Sequence, residues 1–204
     1  MRIVLFFIYS SVLLFSCQKD VVSPNENSAT SNYPSSITVG DSTLANLNFF
    51  RFQPSMLVDG YNQYDSLNID LKGDGTDDVS ILAIRTYPFA GTVFGGSNVR
   101  AKALHDSCYL LCDIMNEPMA LNSSDTLFIN DNWITGDFYI SYTTPDMLPT
   151  PTTYNYGGNW FGQVDKYLGV KVGAQKLGWI NMNVPVSDSS AAQAARVFRY
   201  GCVQ

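Results

Sequence analysis

The chain has 204 residues, a formal net charge of −6 and only 15% charged residues, with 46% hydrophobic ones. The acidic balance excludes a general nucleic-acid binder or a protein that adheres to anionic lipid by charge. The length allows one domain with a sizeable core.

The chain opens with "MRIVLFFIYSSVLLFSC". Arg2 supplies a positive start, and Ile3 to Phe15 form an apolar run too short to span a bilayer comfortably. Residues 1–16 therefore read as a secretory signal. Leu14-Phe15-Ser16-Cys17 resembles a bacterial lipobox, although Phe15 is larger than the residue usual at that place. The resemblance implies that Cys17 receives lipid on its thiol and, after cleavage, on its amine. Several buried acyl chains, at about 0.8 kcal/mol per methylene, hold a protein to a bilayer essentially permanently. The expected location is the bacterial outer membrane, on its periplasmic or its cell-surface face.

From Cys17 to Gly40 the chain reads as a lipidated tether. It is rich in Ser, Asn and Pro, and such a composition does not bury enough surface to offset the entropy of ordering. Gln18-Lys19-Asp20 loosely resembles the short charged export tag of surface lipoproteins of the Bacteroidota.

Residues 41–204 read as an all-β domain, an antiparallel β-sandwich of jelly-roll-like kind. Runs such as "LNFFRF" (47–52), "SLNIDL" (66–71), "DVSILAIR" (78–85), "DFYISYT" (137–143), "KYLGVKV" (166–172), "LGWINMNV" (177–184) and "ARVFRYGCV" (195–203) are rich in β-formers. Gly, Asn, Asp, Ser and Pro separate them at roughly ten-residue spacing. In the fourth run Phe138, Ile140 and Tyr142 alternate with Tyr139 and Ser141. In "LGWINMNV", Leu177, Trp179, Asn181 and Asn183 share one face, with Ile180, Met182 and Val184 on the other. Residues 98–116 fit either two strands or one helix.

"DLKGDGTDDV" (70–79) crowds four aspartates into ten positions. Counted from Asp70, calcium loops of the EF-hand kind want oxygens at positions 1, 3, 5, 7 and 9 and glycine at 6. Asp70, Asp74, the Thr76 carbonyl, Asp78 and Gly75 fit; Lys72 at position 3 and Ile81 at position 12 do not. The stretch resembles the calcium loops of integrin-type propellers and dockerins, here joining two strands. A weak Ca2+ site and a metal-free hairpin whose carboxylates accept backbone N–H bonds both stand as readings. No other cofactor is expected.

Residues 143–163 read as a long Pro/Thr/Gly loop carrying Tyr154, Tyr156, Trp160 and Phe161. These rings suit a sugar-stacking platform, or they cap an end of the sandwich. With Cys17 lipidated, Cys108, Cys112 and Cys202 remain. A bridge from Cys108 or Cys112 to Cys202, with Cys112–Cys202 as the pair chosen, competes with three buried free thiols.

The order of features resembles a group of secreted or lipid-anchored β proteins of the Bacteroidota. Tyr167-Leu168-Gly169-Val170-Lys171 and Gly178-Trp179-Ile180 carry the likeness, while Leu177 stands where those proteins have tyrosine. The resemblance implies a fold and no activity. Catalytic signals are sparse. His105 is the only histidine, Glu117 is the only glutamate beyond the tether, and Asp137 and Asp165 flank strands. The expectation is a non-enzymatic envelope lipoprotein of structural or binding role, with polysaccharide or other envelope proteins as partners. The alternative is a surface glycan-binding accessory protein using the aromatic loop. An Asp-based hydrolase ranks last.

Overall fold

A computed structural model describes residues 33–60, 64–85, 96–145, 154–186 and 193–204. These residues form thirteen strands and no helix. They are β1 (Ser36–Thr38), β2 (Leu47–Val58), β3 (Tyr64–Ile69), β4 (Val79–Arg85), β5 (Ser97–Ala103), β6 (Cys108–Leu111) and β7 (Thr126–Phe128). The remainder are β8 (Trp133–Ile134), β9 (Asp137–Pro145), β10 (Tyr154–Gly157), β11 (Gln163–Val172), β12 (Lys176–Val184) and β13 (Ala195–Val203). All named pairings are antiparallel. The antiparallel sandwich read from the sequence is the fold of the chain.

A five-stranded sheet of order β10-β9-β5-β4-β3 faces a six-stranded sheet of order β2-β13-β12-β11-β6-β8. Ile69, Ile81, Val99 and Ile140 from the first meet Leu168, Val170, Ile180 and Met182 from the second in one core. A second cluster lies on the other face of the six-stranded sheet. There the ribbon β1-β7 lays Ile37, Val39 and Leu127 over Tyr167, Leu177 and Trp179.

Strand β12 explains the layering. Its even positions point into the sandwich and its odd positions point outward, as the alternation predicts. Leu177 and Trp179 lie under the ribbon. Asn181 and Asn183 fall on the same outward face further along the strand. Each fully buried large apolar side chain here contributes about 1.5–3 kcal/mol of transfer free energy. This strand, apolar on both faces for most of its length, is the centre of the fold.

Three features differ from the sequence reading, and the reading left open for 98–116 is resolved in favour of two strands. The body begins earlier than residue 41: Ile37 and Val39 are buried and Tyr33 packs beside them, because an apolar residue at every second position gives β1 an inward face. Residues 1–32 of the signal and tether lie outside the described residues. The 98–116 segment resolves into β5 and β6 joined by a turn in which Cys108 N donates to the His105 carbonyl. Val99, Ala101 and Ala103 point inward between outward Arg100 and Lys102, a period of two that no helix would satisfy.

The second difference is in β9. The β5–β9 register slips between Val99 and Arg100, which leaves Ile140 bulged. A bulge inverts the facing of everything beyond it. Ser141 therefore turns inward next to Ile140, and Tyr142 turns outward like Tyr139. The inward Ser141 donates to Gln193 Oε1 at 2.6 Å, and Gln193 N donates to Ser97 Oγ at 2.7 Å. Ser97 Oγ lies 3.1 Å from Thr143 Oγ1. All four residues are buried, so the hydroxyls stabilise the interior only because the network is satisfied. The third difference is the 143–163 loop, whose flanks are strands: Thr143 and Thr144 pair with Tyr156 and Asn155 in a β9–β10 ladder. Residues 146–153 lie outside the described residues.

Candidate functional site

Asp70 and Asp78 build the aspartate loop from inside. Asp70 Oδ1 accepts from Gly73 N at 2.7 Å and Asp74 N at 3.3 Å, and Oδ2 accepts from Gly75 N at 2.6 Å. Gly73 and Gly75 take φ of 72° and 86°, which lets the chain wrap around the carboxylate. Asp78 is fully buried, and its Oδ2 accepts from Leu71 N at 3.0 Å and Lys72 N at 3.3 Å. Lys72 Nζ then sits 2.7 Å from Asp74 Oδ2 and 3.3 Å from Asp78 Oδ1. The second contact is ionic, without hydrogen-bond geometry. The hydrogen bond from Lys72 holds Asp74 below the usual carboxylate range, and the same bond raises the Lys72 ammonium above its ordinary value.

This donor set does not fit calcium as arranged. A calcium ion takes six to eight oxygens. Both oxygens of Asp70 and one of Asp78 are filled by backbone N–H groups, and the remaining oxygens of Asp74 and Asp78 share the Lys72 ammonium. Thr76 donates its own N–H to Asp74 Oδ1 at 3.0 Å. Among the described residues no group of three His, Cys, Asp or Glu side chains converges as a metal site.

The aromatic loop is not one platform. Trp160 is fully buried in the sandwich core, and its backbone N–H donates to the Ile140 carbonyl at 3.0 Å. This corrects the reading of Trp160 as a sugar-stacking ring, since the apolar ring gains more from closing the core than from facing water. Tyr156 is exposed and its ring lies 4.6 Å from that of Phe161. The backbone of Tyr154 pairs with Pro145, and its side chain lies outside the described residues.

Cys108, Cys112 and Cys202 are free and buried, which corrects the Cys112–Cys202 bridge. In the six-stranded sheet β13 is three strands from β6. At ~4.8 Å per strand that is about 14 Å, more than twice the Cα separation of a disulfide. Burial, with the Asp78 charge adding to it, pushes the Cys108 and Cys202 thiols up to about 12. Burial does the same to Cys112. These thiols stay protonated at neutral pH and fill the core as small apolar groups.

Asp137 and Asp165 do not face one another. Asp137, at the start of β9, points out of the five-stranded sheet and takes Arg100 Nη2 at 2.6 Å. Asp165 lies on the outer face of the six-stranded sheet. Cys17 lies outside the described residues.

A site the sequence reading missed lies around Asp165. Three adjacent ladders break register together: β11–β12 between Gln163 and Lys166, β12–β13 between Asn181 and Met182, and β13–β2 between Val197 and Arg199. Bulges re-aim side chains and recur beside binding sites. Here they open a cleft of about 640 Å³ beyond the end of the β1-β7 ribbon. Its walls carry Arg51, Gln53, Asp165, Asn181, Asn183 and Arg199. The amide of Asn181 donates to Asp165 Oδ1 at 3.2 Å and to the Lys166 carbonyl at 3.1 Å. Asp165 takes φ of 50° and its N–H donates to Asn183 Oδ1, so the carboxylate is fixed at the rim. Arg199 donates to Tyr167 Oη at 2.7 Å and lies 5.9 Å above the rings of both Tyr167 and Trp179. The buried aromatic cluster thus holds one guanidinium in place at the cleft wall. A second hollow of about 600 Å³, against Asn98, Tyr139 and Tyr142, adjoins segments outside the described residues.

The fold and the cleft define an antiparallel β-sandwich with a polar, bulge-built recess on an outer face. Comparison with protein-family models, with curated proteins and with solved structures finds no match to this chain.

Proposed function

We propose that the chain is an envelope lipoprotein, held at the bacterial outer membrane by lipid on Cys17, whose β-sandwich binds a partner without transforming it. The observation that supports the binding role is the polar cleft on the outer face of the six-stranded sheet, where Arg51, Asp165, Asn183 and Arg199 converge. The chain enters the body at Tyr33, whose ring lies 5.8 Å from Lys176 Nζ at the start of β12. Asn181 and Asn183, in the cleft, are five and seven residues further along the same strand. At ~3.3 Å per residue that is about 17–23 Å away. The cleft thus lies well away from the point where the described chain begins.

The partners that suit this reading are polysaccharide or other envelope proteins, not nucleic acid, given the net charge of −6. The cleft favours the glycan-binding alternative in a changed form, because its amides and charged groups, rather than the loop rings, converge on one recess. Lipidation is tested by growing cells on an alkyne fatty acid. The full chain is expected to carry the label in the membrane fraction, and Cys17→Ser is expected to lose both label and membrane retention. A wild-type chain that takes no label contradicts the reading.

A further inference from the structure

We propose that the cleft binds an acidic saccharide, with a carboxylate gripped between Arg51 and Arg199 and hydroxyl groups met by Asn183, Gln53 and Asp165. The inference rests on the binding role proposed above and names the ligand class. Arg51 and Arg199 are direct cross-strand partners in the β2–β13 ladder. Like charges in that position, with Cβ atoms ~5 Å apart, destabilise a sheet. Arg199 is compensated by Tyr167 and Trp179. Arg51 is exposed and has no ionic partner among the described residues. In a chain of net charge −6, two facing guanidinium groups over a recess are a local positive field that an anion relieves.

The rest of the wall sets the class. Two guanidinium forks match a planar carboxylate better than a lysine pair would. Asn183 and Gln53 offer amides able to donate and accept, as sugar hydroxyls require. Asp165 at the rim accepts hydroxyl protons and repels a multiply charged anion such as phosphate. The recess lies within the ~300–1,000 Å³ range of small-ligand sites, so a disaccharide fits it.

The test is calorimetric titration of the purified full chain with a uronic-acid disaccharide and with its neutral counterpart. The acidic sugar is expected to bind, and the neutral one to bind at least about tenfold more weakly. Arg51→Ala is expected to lose about tenfold or more for the acidic sugar with a melting temperature no lower than the wild type's, because the side chain is exposed and its charge opposes that of Arg199. Arg51→Lys, which keeps the charge and loses the fork, is expected to fall between. No heat from the acidic sugar at millimolar concentration overturns the inference. So does equal binding of both sugars, or acidic binding that Arg51→Ala leaves unchanged. Equal binding would still leave the module a binding protein, and the lipid anchor is tested separately by fatty-acid labelling.

Discussion

Replacing Asp78 with alanine is expected to lower the unfolding free energy by about 2–5 kcal/mol, at ~1–3 kcal/mol for each of two backbone N–H groups left without an acceptor. The side chain is fully buried and does three things at once. Its Oδ2 accepts the N–H groups of Leu71 and Lys72, and its Oδ1 faces the Lys72 ammonium. Alanine leaves two buried donors unsatisfied and a part-buried lysine with Asp74 alone. The backbone of Asp78 also bonds both neighbours, from its N–H to Ile69 O at 2.9 Å and from Leu104 N to its carbonyl at 2.9 Å. Damage there would spread to the β3–β4 hairpin and to β5. Chemical denaturation of the two proteins measures it. A loss under 1 kcal/mol would show that the carboxylate does not organise the loop. In the wild type, millimolar calcium is expected to leave the midpoint unmoved, because Lys72 pairs with Asp74 and Asp78 and backbone N–H groups fill both oxygens of Asp70.

Trp160→Ala is expected to cost about 3–5 kcal/mol of stability, the magnitude for a large ring removed from a packed core. The ring has 0% exposure and is among the largest fully buried side chains. Gly158, just before it, has φ of 89°, and a Cβ there would lie 2.4 Å from the Ile140 carbonyl oxygen. The chain is therefore pressed against β9 at this point, with little room to close over a cavity. Urea unfolding tests the expectation. A variant as stable as the wild type, yet impaired in sugar binding, would return Trp160 to the role its loop first suggested.

How far the sequence could be read follows from what each signal measures. Alternation reports which face is apolar, and it separated the two faces of β12 correctly, including the outward Asn181 and Asn183. It assumes an unbroken pleat, so the bulge at Ile140 defeated it for Ser141 and Tyr142. Composition placed Trp160 in a Gly-rich loop beside other rings, but it does not say whether a ring turns in or out. The aspartate spacing identified the turn, and Lys72 marked the point of departure. What spacing cannot express is that a lysine in a ligand's position swings its charge into the loop. The cleft was the least legible part. Its residues come from β2, β11, β12 and β13, and they meet only because three register breaks coincide. The one available signal was arginine within two aromatic strands, "FFRF" and "VFRY".

The proposed working surface is this bulge-built recess, rather than the aspartate loop or the aromatic turn. Backbone amide NMR of the isotopically labelled sandwich, titrated with the uronic-acid disaccharide, tests it most directly. The predicted result is a set of perturbed amides centred on Arg51, Asp165, Asn181, Asn183 and Arg199. Perturbations confined to residues 70–78 or 155–161, with those amides unmoved, would contradict it.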